Sequence, residues 1–167
     1  MFQIDVDELE WIDGKADNPE DLCAHGHVVV WIGEEVFEYF ATVSASALYL
    51  LKSISEDHIL GEEEQMLPCC GFSIYARDEK LDTVDIIGCS NGIDWSVFHR
   101  ENQVRIVTLS GKETILPLSE YRQIVYQCAD TVEAFYQRCS PKILPQDKID
   151  RDGYIAFWNE WHRRRGR

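Results

Sequence analysis

The 167-residue chain carries 30 acidic residues against 16 Lys and Arg, a formal net charge of −14 and a pI near 4.6. That balance argues against a general nucleic-acid binder, because phosphate contacts need a basic surface from which counterions are released. The charge is also lopsided: residues 1–66 hold sixteen acids and only Lys15 and Lys52, whereas residues 67–167 hold fourteen charges of each sign.

A hydrophobic fraction of 45% is enough for a sizeable core, so one domain spanning residues 1–167 is expected. The opening MFQIDVDELEW places acids where a secretory leader or membrane span would need a basic region and a long apolar run. The expected setting is therefore cytoplasmic, without membrane contact. Six Cys with neither regular spacing nor scaffold density read as reduced thiols, and Cys128 and Cys139 as small hydrophobes of a helix.

In chain order, residues 2–12 alternate Phe2, Ile4 and Val6 with Gln3, Asp5 and Asp7, the period of a half-buried strand. After a turn at 17–21, the runs 27–32 and 36–43 flank Gly33-Glu34-Glu35 and predict an antiparallel hairpin. Ser44 is a candidate N-cap for a short amphipathic helix over 45–55, followed by a surface loop over 56–71. The segments 72–76, 83–89, 93–99, 104–109 and 113–116 are rich in β-formers, with turn signals at Asn91-Gly92 and Ser110-Gly111. Ser119 then caps a longer helix reaching Cys139, with Tyr121, Ile124, Cys128, Val132, Phe135 and Cys139 on one stripe. Asp152 or Gly153 opens a last helix whose Tyr154, Phe157, Trp158 and Trp161 fall on one side and read as core. The order predicts an α+β fold: an antiparallel meander sheet of about six to eight strands with three helices packed on it.

Three patterns raise chemistry. Gly88-Cys89-Ser90-Asn91-Gly92 matches the nucleophile-elbow pattern, but a strand follows it where a helix is needed, so a hydrolase using Ser90, Asn91, Asp94 and His99 is the alternative reading and not the leading one. Cys23, His25 and His27 stand at alternate positions that an extended strand projects to one side, yet the paired spacing of a zinc site is missing, so no metal and no cofactor is expected. The tail Arg163-Arg164-Arg165-Gly166-Arg167 reads as a solvated helix terminus that complements the dipole.

The acidic half carries the functional expectation, a preformed anionic surface for a basic protein partner. Its contacts are expected at Glu34, Glu35, Glu38, Glu62, Glu63 and Glu64, with Trp31 and Tyr39 as aromatic anchors and no catalytic residue. In size, acidity and the run NGIDWSVFHRENQVRIVTLSGKETILPLSEYRQIVYQCADTVEAFY (91–136), the chain resembles the small acidic α+β immunity proteins that bacteria encode beside polymorphic or contact-dependent toxins. The resemblance implies a non-enzymatic protein that neutralises a basic toxin, such as a nuclease, by covering it. A structural or assembly subunit is the third reading.

Overall fold

The computed structural model describes residues 1–62, 64–71 and 73–167. Three strands open the chain: β1 (Phe2–Glu10), β2 (His25–Ile32) and β3 (Glu35–Ala41), paired antiparallel in the order β1-β2-β3. The predicted hairpin is present, closed by Gly33 and Glu34, and the alternation of β1 puts Phe2 and Ile4 inside.

Helix α1 (Val43–Lys52) follows. It was expected to be amphipathic, but it is buried at every position except Tyr49 and Lys52, which are half-buried. The sequence permits this because the helix carries no charge before Lys52 and its Ser46 and Tyr49 hydroxyls find partners inside. Ser46 Oγ donates to the Thr42 carbonyl (3.2 Å), and Tyr49 donates to that of Ile86 (3.2 Å). Thr42, not Ser44, stands at the N-cap position.

The next strands are β4 (Leu67–Pro68), β5 (Ser73–Ala76), β6 (Val84–Ile87), β7 (Gly92–Ile93), β8 (Trp95–Arg100), β9 (Gln103–Thr108) and β10 (Glu113–Pro117). Strands β5, β6, β8, β9 and β10 fall where the β-rich segments predicted them, whereas β4 lies inside the expected surface loop over 56–71, with Met66, Leu67 and Pro68 buried, and β7 starts at Gly92 of the expected turn; the strands do not join in one large sheet. Among the described residues β8, β9 and β10 form a three-stranded meander, β5 pairs with β6, and β4 pairs with β7. Asn91-Gly92 does not close a hairpin: Cys69 donates its N–H to the Asn91 carbonyl, and Gly92 pairs with Pro68. The segment between β6 and β8 is thus captured by residues upstream in the chain, and the ladder breaks there.

Helix α2 (Leu118–Arg138) lays Tyr121, Val125, Cys128, Ala129, Val132 and Phe135 on the core, with the Tyr121 ring 5.3 Å from that of Phe2. Helix α3 (Lys148–Arg165) begins earlier than Asp152, because Asp147 caps it by accepting the Ile149 and Asp150 N–H groups. Its Tyr154, Phe157 and Trp161 are buried and Trp158 half-buried, as core residues should be. Buried side chains of both three-stranded sheets and all three helices form one contiguous cluster. No helix among the described residues is long and apolar enough to cross a membrane.

Candidate functional site

Alternation gives the first sheet two unlike faces. Phe2, Ile4, Val28, Val30 and Ile32 point into the core. The outer face is a grid of three cross-strand rows: Gln3, Trp31 and Val36; Asp5, Val29 and Glu38; Asp7, His27 and Phe40. Val36 is 56% exposed and Phe40 46%, while Trp31 and Val29 are half-buried between them. Apolar surface of this kind, interleaved with carboxylates on a face whose side chains stay half-buried or exposed, is the composition of an interaction patch.

Its charges are organised across the strands. The His27 ring lies between Asp7 (Nδ1 to Oδ1, 2.8 Å) and Glu38 (Nε2 to Oε1, 2.8 Å), tying β1 to β3 across β2. Hydrogen bonds to Asp7 and then Glu38 raise the His27 pKa above its ordinary value. Asp5 accepts from the Gln3 amide (3.0 Å). Three carboxylates and one imidazole therefore face outward, and Glu34 stands exposed on the adjoining turn.

The eight residues expected to contact a partner do not share one surface. Trp31 and Glu38 belong to the grid, with Glu34 at its edge. Glu35 and Tyr39 point to the opposite face of β3. Glu35 accepts from Ser110 Oγ (2.8 Å), and hydrogen bonds from Thr108 and Ser110 hold its carboxyl below the usual range, so it fastens the β2–β3 turn to the β9–β10 turn. Burial first, and a hydrogen bond with Cys69 second, push the Tyr39 hydroxyl up. Glu62 and Glu64 line a separate cleft, and Glu63 lies outside the described residues. Asp5, Asp7, Val29, Val36 and Phe40 were missed, although the period of two that located the strands also assigns them to Trp31's face.

The cleft is a polar space of about 800 Å³ between the end of α1, β6 and α3. Its cations are committed to the fold. Lys52 donates to the Val84 carbonyl (3.1 Å), Arg164 bridges Glu160 (2.7 Å) and Glu56 (2.5 Å), and Arg77 pairs with Asp85. Glu160 is fully buried and also accepts the Val84 N–H (2.7 Å), which pins α3 to β6. Burial lowers the Lys52 pKa, partly offset by Glu160.

The residues of the hydrolase reading are held apart. Asp94 accepts from the Met66 (3.1 Å) and Gly61 (3.2 Å) N–H groups and contacts His58 Nε2 (2.7 Å), fastening all three to the start of β8. Asp57 faces His99 Nδ1 (2.7 Å) and the Ile54 carbonyl faces its Nε2 (3.1 Å), so neither ring nitrogen is open to a serine proton. Ser90 lies between two strands, with no helix to form an elbow.

Cys23, His25 and His27 also diverge. Cys23 is buried and its thiol is pushed up to about 12, mainly by burial; His25 is buried and its pKa lowered by burial; His27 faces outward between carboxylates. No group of three or more His, Cys, Asp or Glu among the described residues is placed to hold a metal ion. The arginine tail is a helix end, as expected, but it is paired as well as solvated: Arg165 forks onto Asp130 (2.7 and 2.8 Å), and Arg167 reaches Asp130 (3.0 Å) and Glu133 (2.9 Å).

No known protein family, curated protein or solved structure matches this chain. The functional reading therefore rests on the geometry above.

Proposed function

We propose that the chain is a non-enzymatic binding protein that takes a basic protein on the outer face of its first sheet. The observation that carries this reading is the grid itself, in which Trp31, Val36 and Phe40 supply uncovered apolar area and Asp5, Asp7 and Glu38 surround it with negative charge. Aromatic anchors within a charged rim are how compact interfaces concentrate their energy and select partners. The acidity of residues 1–66 extends the same field beyond the contact. The resemblance to immunity proteins supplies the partner class: a cationic toxin, such as a nuclease, whose catalytic surface the sheet would cover.

The test is affinity capture from the lysate of the native host, with wild-type chain and a Trp31→Ala/Phe40→Ala variant immobilised side by side and eluates identified by mass spectrometry. Wild type should retain one basic protein stoichiometrically at low salt and release it at high salt, the variant should retain at least tenfold less, and the captured protein should lose toxicity when co-expressed with the wild-type chain. Equal retention by both forms removes the outer face as the site, and capture of an acidic partner removes the charge argument.

A further inference from the structure

Three of the six cysteines come together where β4 and β7 pair. Cys69 and Cys70 follow β4 directly and Cys89 lies between β6 and β7. The Cys69 N–H donates to the Asn91 carbonyl (3.0 Å), fixing the two segments side by side, and the Cys89 N–H donates to Cys70 Sγ (3.0 Å). The approach is close enough that a Cβ at position 88 would lie 2.3 Å from the Cys70 carbonyl oxygen, so glycine is required there. Cys70 and Cys89 are half-exposed and Cys69 is exposed, whereas Cys23 and Cys128 are buried.

From this juxtaposition we infer that Cys70 and Cys89 form a hydroperoxide-reactive dithiol that closes reversibly into a disulfide. Cys70 Sγ lies against the Cys89 backbone N–H, and the neighbouring thiol lowers the Cys89 pKa while the Cys70 pKa is raised. One thiolate of the pair attacks a peroxide oxygen; the O–O bond breaks, leaving a sulfenic acid on that cysteine and a hydroxide that takes up a proton. The other sulfur then attacks the sulfenic sulfur, the S–S bond forms, and the hydroxyl departs with that thiol's proton as water. Two thiols lose two electrons in all, and one hydroperoxide is reduced, to two waters in the case of hydrogen peroxide. The charge of the surroundings favours this oxidant class: Glu64 reaches within 3.6 Å of the Cβ position at Gly88, and the acidic half of the chain repels anionic disulfides while a small neutral peroxide approaches freely.

The experiment treats the purified full chain with hydrogen peroxide, blocks remaining thiols, and maps the cysteine peptides by mass spectrometry with and without reductant. The expected product is a Cys70–Cys89 cross-link, lighter by about 2 Da, that reductant reverses while Cys23 and Cys128 stay unmodified. In one of the two single variants, Cys70→Ser or Cys89→Ser, the expected product is sulfenic acid accumulating on the remaining cysteine of the pair, trapped by a dimedone probe, which identifies the attacking sulfur. Far-UV circular dichroism checks that both variants fold; as both side chains are only half-buried, serine should be accommodated. A cross-link that pairs either cysteine with Cys69 instead, or oxidation of Cys89 to sulfinic acid in wild type without a Cys70–Cys89 bond, overturns the assignment.

Discussion

His25 and His27 are two residues apart on one strand and are driven in opposite directions. Burial disfavours charge on His25, whose Nδ1 is enclosed with no hydrogen-bond partner among the described residues, whereas Asp7 and Glu38 favour charge on His27. A raised folded-state pKa means that His27 stabilises the fold fully below its unfolded value near 6.5, and that this contribution is lost as pH rises through the folded pKa. His25 does the reverse, its contribution being complete above 6.5 and lost as pH falls toward its lowered pKa. In a ring-proton NMR titration His27 should therefore show its midpoint above 6.5 and His25 below it, and the opposite order would contradict the placement of both side chains. The sequence showed both histidines at alternate positions, which an unbroken strand would project to one side. What it did not show is the register shift between Asp7 and Glu10 where β1 pairs with this end of β2, with His25 buried and His27 half-buried on the outer face.

Elements were more legible than their assembly. Periodicity located the strands and helices because each is read within a dozen residues, but the pairing of β4 with β7 joins Leu67 to Ile93 and has no local signature. The same is true of the polarity of α1. Its stripe of Ala47, Leu50, Leu51 and Ile54 looks like one face of a surface helix, and only contact with α2, β2, β4 and α3 accounts for the burial of Ser44 and Ser46. The site was half legible: alternation already separates Glu38 from Glu35 and Tyr39, but grouping residues by acidity in place of strand period merged two faces. Helix α3 gives the sharpest prediction at this scale. A Cβ on Gly153 would stand 2.0 Å from the Ile74 carbonyl oxygen, in a strand held in register against Ile86. Gly153→Ala gains about 1 kcal/mol of helix propensity, yet it forces α3 off β5, so urea unfolding should show a net loss of about 2 kcal/mol or more, as overpacking does. An unchanged or higher midpoint would mean that α3 does not dock through this contact.

Across the whole molecule, charge is partitioned by role. The arginines of the C-terminal helix close onto Glu160, Asp130 and Glu133 and serve the fold, as do Lys52 and Arg77 around the cleft. Among the described residues, the outer-face acids Asp5, Asp7 and Glu38 meet the Gln3 amide and the His27 ring, so net negative charge projects outward from a face that also carries uncovered aromatic surface. Such a surface should act mainly on the speed of encounter, since exposed charges steer association and are screened within about 10 Å at 0.1 M salt. The most direct measurement is the association rate of the captured basic partner as a function of ionic strength, for wild type, Asp5→Asn/Glu38→Gln and Glu62→Gln/Glu64→Gln. The sheet-face variant should associate several-fold more slowly at low salt with a shallower salt dependence, and the cleft variant should lose less of both. If the sheet-face variant keeps the wild-type rate and salt slope while the cleft variant loses them, the binding surface lies at the cleft and the account given for the outer sheet is wrong.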